Sequence, residues 1–215
     1  MKDFNTKIAL VTSYLLHPLF MPTNGLVVAY FIGRIQGFNI YASDRDTYTA
    51  YIVIFGVFIA TAIVPIIITL ILKSLNLISS LHMPKREERM IPFLVTGVAY
   101  VSIIFIYTKV LDLQLPPEIL SFMMGAALAI IIGFLITSSY KISIHMIGIG
   151  GVVGVVVLLS KLGEEVLIYP LIATIIASGF IAFSRIQLKA HTYQQVISGF
   201  ILGFTCEIIP LFFIN

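Results

Sequence analysis

Cysteine and charge are both scarce in this sequence, and their scarcity excludes several classes of protein. Cys206 is the only cysteine, so no disulfide can form within the chain and no thiolate cluster can hold a metal. Charged residues make up only 11% of the 215 residues, whereas 59% are hydrophobic, and the mean hydropathy is +1.06. This apolar content exceeds what the core of a soluble domain of this size uses. The lipid bilayer is therefore predicted to be the solvent of this chain.

Motifs of other chemistries are also missing from the sequence. Asp44 and Asp46 are too small a set for a metal site, and the aspartate-rich motifs typical of prenyltransferases are absent. No Gly-x-Ser-Gly sequence indicates an intramembrane serine protease. No linker or low-complexity tract divides the chain, so residues 1–215 are predicted to form one integral-membrane domain, with no metal and no cofactor.

Long apolar runs are abundant, and each is close to the length of a membrane-spanning helix. The first run is too long for a signal peptide and lacks a small-residue cleavage site, so it is interpreted as a retained span or one broken by Pro18 and Pro22. The sequence predicts an all-α polytopic membrane bundle, with a six-helix core over about 48–213 and a possible extra N-terminal span. The runs cover 8–32, 48–72, 91–111, 118–138, 143–160, 167–183 and 193–213.

Glycines recur at short spacing in two of these runs. Gly150, Gly151 and Gly154 lie in one run, and Gly199 and Gly203 lie in another. Small residues at such spacing let the backbones of membrane helices approach closely. These glycines are predicted to be packing surfaces.

The loops between the runs divide the charges unequally between two faces of the bundle. Two spans separate each of the loops 73–90, 139–142 and 184–192 from the next, so all three are predicted to emerge on one face. With Lys2 and Lys7 included, this basic face has nine cations and three acids, a net charge of +6. The opposite face has four cations and seven acids, among them Glu207, a net charge of −3. The basic loops are too short to hold a nucleic acid duplex, so anionic lipid or phosphate is the predicted partner.

The third loop of the basic face carries a spaced motif. Ser184 and Arg185 are followed, after five residues, by His191. This spacing matches the third signature of the type 2 phosphatidic acid phosphatase family, which is Ser-Arg, five residues, His, three residues, Asp. The chain is identified by this resemblance as a divergent member of that family of membrane lipid phosphatases.

The two other loops of the basic face resemble the remaining signatures more distantly. Ser143 and His145, preceded by Lys141, resemble a Pro-Ser-Gly-His signature in which isoleucines replace Pro and Gly. The run KREERMIP, residues 85–92, has the residue types of the first signature, Lys, six residues, Arg-Pro, without its spacing. The resemblance covers about residues 73–213.

The resemblance implies a hydrolase that removes phosphate from a lipid phosphate or prenyl diphosphate through a phosphohistidine. His191 would be the nucleophile, and His145 would be the acid that protonates the leaving oxygen. Cations and a hydroxyl or backbone donor would neutralise the phosphoryl oxygens, and Arg185 suits a bidentate contact with them. The predicted substrate-binding residues are Arg185, Ser143, Lys141, Lys85, Arg86 and Arg89.

Gln195 stands where the family has an aspartate that orients the nucleophilic histidine. A glutamine carbonyl can still orient an imidazole, but it adds no negative charge. The comparable Asp to Asn change in the serine protease triad lowers turnover by about ten-thousand-fold. The chain is therefore either a slow or rewired phosphatase, or a noncatalytic protein of the same fold that binds or translocates a lipid phosphate. An unrelated polytopic carrier, whose basic face only reflects topology, is the third hypothesis.

Two further expectations concern the position of the site. His17, between the two prolines of the first run, is interpreted as a hydrogen-bonded histidine that fills the gap they make. Positive-inside counting places the basic face in the cytoplasm, whereas the family's active site lies outside the bacterial plasma membrane. Without the five cations proposed to bind substrate the two faces carry four cations each, so the outer face of a bacterial inner membrane is predicted.

Overall fold

The structure, a computed structural model, describes residues 3–35, 44–80, 87–162 and 167–212. Within these ranges the chain is helical and contains no strand, in agreement with the predicted all-α class. Six helical segments of the described residues are long and apolar enough to cross a membrane, so this is a multi-pass membrane protein. They are Phe4–Gly33, Thr47–Ser74, Met90–Val110, Pro117–Thr137, Ile144–Lys161 and Ile168–Gln187.

Several of these segments are built from consecutive helical elements. A 3-10 turn, Pro18–Phe20, joins α1 to α2, and a π-helical turn, Ile59–Ile63, joins α3 to α4. A second π-helical turn, Ile106–Val110, extends α5, and the last predicted run forms α9 and the 3-10 turn Ile209–Phe212. The helices are α1 Phe4–Leu15, α2 Met21–Ile35, α3 Asp44–Phe58, α4 Val64–Ser74, α5 Met90–Phe105, α6 Pro117–Thr137, α7 Ile144–Leu162, α8 Ile168–Gln187 and α9 Tyr193–Ile208.

The first span is broken before Pro18, as one of its two interpretations predicts. His17 is extended there, and its side chain accepts a hydrogen bond from the backbone N–H of Leu19. The hydroxyl of Thr61, which is fully buried, donates to the carbonyl of Leu19 at 3.1 Å, so this carbonyl has a partner. Pro22 lies at the second position of α2, where a proline is tolerated because the helix needs no N–H there. The prediction that Pro22 also interrupts the helix was wrong.

Helix α7 occupies the centre of the bundle and packs against α2, α6, α8 and α9. A Cβ atom added to Gly150 would collide with the backbone of Phe200, and one added to Gly203 would collide with the carbonyl of Ile147. Only glycine fits at these positions because the two backbones touch. The predicted role of the glycines as packing surfaces is confirmed, and the contact of α7 with α9 is the most extensive between helices of the described chain.

Glu207 was predicted to face outward on the acidic side, and this prediction was wrong. Its side chain is only 1% exposed, and it lies in the last turn of α9 beside α6 and α7. Its burial follows from the glycines of those two helices, which leave room for the carboxyl group. The face opposite the basic face therefore has one acidic side chain fewer at its surface than the sequence count gives.

Candidate functional site

Arg185 lies on the last turn of α8 and not in the predicted loop, because the helix continues to Gln187. A cation in the last turn of a helix interacts favourably with the free carbonyls there. The hydroxyl of Ser184 is turned to its own helix, where it donates to the carbonyl of Phe180 at 2.7 Å. Ser184 is completely buried, so its hydroxyl is not available to a ligand.

The turn after α8 brings His191 back against the end of the bundle. Lys189 has a φ of 51°, the left-handed conformation that usually favours glycine. Its N–H donates to the carbonyl of Ile186, and the N–H of Ala190 donates to the carbonyl of Arg185. This is the hydrogen-bond pattern of a Schellman motif, which ends the helix and reverses the chain. A non-glycine residue in this conformation is a local strain of the kind found at functional sites.

The first turn of α9 holds His191 in place. Thr192 and Gln195 form a capping box, in which the Gln195 Oε1 atom accepts from the Thr192 N–H at 3.2 Å. Nδ1 of His191 lies 3.3 Å from the same Oε1 atom and 3.2 Å from the carbonyl oxygen of Lys141. Both partners are acceptors, so Nδ1 carries the ring proton and Nε2 presents its lone pair. Gln195 thus orients the imidazole through its carbonyl oxygen.

The electrostatic surroundings keep His191 neutral. Burial and the neighbouring Arg185 guanidinium lower the pKa of His191 to about 4, and the hydrogen bonds to Gln195 and Lys141 oppose part of this shift. The imidazole is therefore unprotonated at neutral pH. An unprotonated imidazole with Nε2 free is the form that can act as a nucleophile.

His191 borders a cavity of about 400 Å³ at this end of the bundle. Two exposed lysines contribute to its wall, and the charge of Arg185, which is not part of the wall, acts on the His191 ring. The cavity is therefore suited to an anion. Its polar lining consists of Lys141, Lys189, His191, Thr192 and Gln195.

His145 lies on the inner side of this arrangement, in the first turn of α7. Its Nε2 atom is 3.3 Å from the carbonyl of Ser13, so Nε2 is the protonated nitrogen of the neutral ring. Arg185 donates from Nη1 to the hydroxyl of the same serine at 3.2 Å. The ring centroids of His17 and His145 are 5.5 Å apart. The structure thus brings His145, Arg185 and His191 into one electrostatic cluster, and it adds Ser13 and His17 from the N-terminal segment.

The sequence interpretation missed Ser13 and gave His17 only a gap-filling role. His17 does accept a backbone hydrogen bond at the break in the first span, as that interpretation expects. No signal in the sequence around Ser13 points to the site, because its partners are about 130 and 170 positions away. The packing of α1 along α8 brings it there.

The remaining predicted site residues divide into two groups. Ser143 is fully buried and donates from its N–H to the carbonyl of Gln195 at 3.2 Å. Its hydroxyl has no hydrogen-bond partner among the described residues, and it does not line the cavity. Lys85 and Arg86 lie outside the described residues, as does the side chain of Arg89, whose backbone belongs to the 3-10 turn Glu87–Arg89.

The hydrogen bond from Nδ1 of His191 to the carbonyl of Lys141, with that from the Ser143 N–H to the carbonyl of Gln195, places the 139–142 and 188–192 loops at the same end of the bundle, as the counting of spans predicts. Over the described ranges, no group of three or more His, Cys, Asp or Glu side chains is placed to hold a metal ion. Comparison of the chain with family models, with curated proteins and with solved structures finds no match. The functional argument therefore rests on the geometry of the site and on the spacing of its residues.

Proposed function

We propose that this protein is a membrane phosphatase-like hydrolase that cleaves a lipid phosphate or prenyl diphosphate through a phosphohistidine at His191. The arrangement of His191 is the observation that carries the proposal. Its Nδ1 proton lies between two acceptors, its Nε2 atom has no hydrogen-bond partner among the described residues, and its ring borders a cavity whose wall includes two lysines. These are the requirements for an imidazole that attacks a phosphoryl group.

The proposed reaction has two steps. His191 Nε2 attacks phosphorus, the bond from phosphorus to the lipid oxygen breaks, and His145, acting as an imidazolium, transfers a proton to that oxygen and becomes neutral. Water then attacks the phosphohistidine and gives a proton to the neutral His145, which releases inorganic phosphate and regenerates both rings. Arg185 stabilises the charge of the phosphoryl oxygens in both steps. In the present arrangement Nε2 of His145 donates to the carbonyl of Ser13, so the ring takes up the proton that it transfers on its other nitrogen, Nδ1.

The surroundings of the cavity support a lipid substrate. Phe183 on α8 and Ile197 on α9 lie within one helical turn of the cavity-lining residues Ile186 and Gln195 along the chain, and they are 41% and 58% exposed. In a bilayer these side chains face acyl or prenyl chains, while the cavity lies at the helix ends where a headgroup would be. A phosphate on a long apolar tail fits both surfaces, whereas a soluble phosphate ester would use only the cavity.

The experiment that tests the proposal uses the purified full-length chain and two probes, phosphatidic acid and a prenyl diphosphate. Release of inorganic phosphate and formation of an acid-labile, base-stable phosphoprotein are measured for the wild type and for His191→Ala. We expect both signals in the wild type and neither in the variant. Release that persists in His191→Ala would contradict the role of His191.

A noncatalytic lipid-phosphate-binding or translocating protein of the same fold is the second candidate. The observation that favours it is the neutral amide of Gln195, which orients His191 without stabilising an imidazolium ion. Saturable binding of either probe that depends on Arg185, without phosphate release or a phosphoprotein, would establish this alternative.

The outer face of a bacterial plasma membrane is the proposed position of the site. Lys189→Cys introduces an exposed thiol into the loop after α8, whereas the native Cys206 is buried. We expect an impermeant thiol reagent to label Lys189→Cys in intact cells. Labelling only after permeabilisation would place the site in the cytoplasm.

A further inference from the structure

Glu207 is a buried carboxyl group that the proposed hydrolysis does not use. It lies in the last turn of α9, 1% exposed, and its Oε1 atom has no hydrogen-bond partner within the described part of the chain. Glycines surround it on two neighbouring helices. A Cβ at Gly125 of α6 would lie 2.9 Å from Oε2, and a Cβ at Gly154 of α7 would lie 2.7 Å from the Glu207 Cβ. The fold thus makes room for this carboxyl group in its interior.

Two hydroxyl groups near Glu207 share its lack of partners. Tyr100 on α5 is completely buried and interacts electrostatically with Glu207. Ser121 on α6, 1% exposed, precedes Gly125 by one helical turn and therefore lies on the same face of that helix. In the described residues neither Tyr100 Oη nor Ser121 Oγ has a hydrogen-bond partner. Buried polar atoms in proteins almost always have partners, so three unpartnered oxygens in one region indicate a missing ligand.

The charge of Glu207 leads to the same conclusion. Two titratable groups act on Glu207, Tyr100 from α5 and Cys206 from α9, and Tyr107 acts in turn on Tyr100. The residues of α7 next to Glu207 are glycines. Among the described residues, no Lys, Arg or His side chain acts electrostatically on this carboxyl group. A carboxylate without a counter-charge in the interior of a membrane bundle is strongly unfavourable, so a cation must neutralise it.

We propose that Glu207, together with the hydroxyls of Tyr100 and Ser121, forms an intramembrane binding site for a small monovalent cation, either a proton or a sodium ion. Carboxylate and hydroxyl oxygens are suitable ligands for a hard cation, and the same carboxyl group can hold a proton. The site does not involve His191, so it stands independently of the proposed hydrolase activity.

The test measures the melting temperature of the full-length protein in detergent as a function of pH and of sodium concentration, with choline as the replacement cation. Glu207→Gln removes the charge and keeps the shape of the side chain. Asp112→Asn makes the same chemical change at an exposed acid and is the matched control. Binding of a cation to the folded chain alone stabilises it by mass action.

We expect the melting temperature of the wild type and of Asp112→Asn to fall as the pH rises if the ligand is a proton, because the folded chain then loses a bound proton. If the ligand is sodium, the melting temperature rises by about 4 °C for each tenfold increase in sodium above the dissociation constant. Glu207→Gln should lose whichever dependence the wild type has. Equal pH and sodium dependence in the wild type and in Glu207→Gln would overturn the proposal.

A second measurement needs no variant, in case Glu207→Gln does not fold. A hydrophobic carbodiimide reacts with a protonated carboxyl group in apolar surroundings, and peptide mass spectrometry locates the product. We expect modification of Glu207, slowed by a higher pH or by sodium. A folded wild type in which Glu207 stays unmodified between about pH 5 and about pH 8 would overturn the proposal. Neither measurement depends on phosphate release, so failure of the proposed cation site and failure of the proposed hydrolase activity can be distinguished.

Discussion

The two halves of the candidate site are built in different ways. The outer half, Lys141, Lys189, His191 and Gln195, lines the cavity and is held by a helix-end turn and a capping box. The inner half, Ser13, His17, His145 and Arg185, is held by contacts between α1 and the ends of α7 and α8. In the outer half Nε2 of His191, the proposed nucleophile, has no hydrogen-bond partner among the described residues, whereas in the inner half Ser13 accepts hydrogen bonds from both His145 and Arg185. We therefore expect the inner half to limit the proposed reaction once the negative charge that the outer half lacks is restored.

The largest effect is expected from restoring the missing negative charge in the outer half. Gln195→Glu keeps the length of the side chain and its capping box, and a carboxylate is favourable at a helix N-terminus. It should stabilise an imidazolium at His191 and raise turnover by up to about 10⁴-fold. Phosphate release from a prenyl diphosphate is the measurement. Gln195→Met, of similar length but without the hydrogen bond, is the control, and unchanged turnover in Gln195→Glu would show that charge is not what the outer half lacks.

The second prediction tests the inner half in the Gln195→Glu background, where turnover is high enough to measure a loss. His145→Asn removes the proposed acid and should lower kcat by about 10³-fold. His17→Asn, which changes the neighbouring ring without removing the acid, should have a much smaller effect. If the two variants lose the same activity, His145 has no special role as the acid.

Arg185 is expected to have the next largest effect. Arg185→Lys keeps the positive charge but loses the planar pair of donors that suits a phosphoryl group. We expect kcat/KM to fall by about 10²-fold. Lys161→Arg, at the other end of α7, is the control. A variant with wild-type kcat/KM would indicate that Arg185 contributes only its charge.

The titration of His191 sharpens the comparison directly. Because its pKa is lowered to about 4, the ring stays neutral through the neutral range and becomes protonated only in acid. NMR of imidazole-labelled protein, with the signal assigned through His191→Gln, should give a midpoint near pH 4. In Gln195→Glu the midpoint should rise, because a neighbouring carboxylate favours the protonated ring. A wild-type midpoint near the ordinary value of about 6.5 would contradict the described surroundings of His191.

The smallest effect is expected from Ser13, whose hydroxyl would compete with the proposed phosphate for the Nη1 donor of Arg185. Ser13→Ala removes this competing acceptor and should lower KM by about threefold, a small effect because water can take the place of the serine hydroxyl. Ser178→Ala, in the middle of α8, removes a hydroxyl that bonds only to its own helix and serves as the control. An increase in KM in Ser13→Ala would instead mean that the serine positions Arg185 for the substrate.

Local features of the site could be predicted from the sequence, whereas contacts that depend on packing could not. Gln195 follows His191 by one helical turn, so a contact between them needs only a helix that starts at that point. The contact of α7 with α9 could likewise be predicted, because the short spacing of their glycines indicates close helix packing. The positions of Ser13 and Glu207 depend on side chains of other helices. No pattern around Ser13 shows that α1 lies on α8, and no pattern around Glu207 shows that glycines of α6 and α7 surround it.

The touching backbones of α7 and α9 have a mechanical consequence. At Gly150 and Gly203 the backbones of the two helices are in contact, so one helix cannot shift along the other without a steric clash. His145 belongs to α7 and Gln195 belongs to α9, so the proposed acid and the residue that orients the proposed nucleophile move together. A change in the distance between the two halves of the site would then require movement of α1 or α8 against this pair of helices.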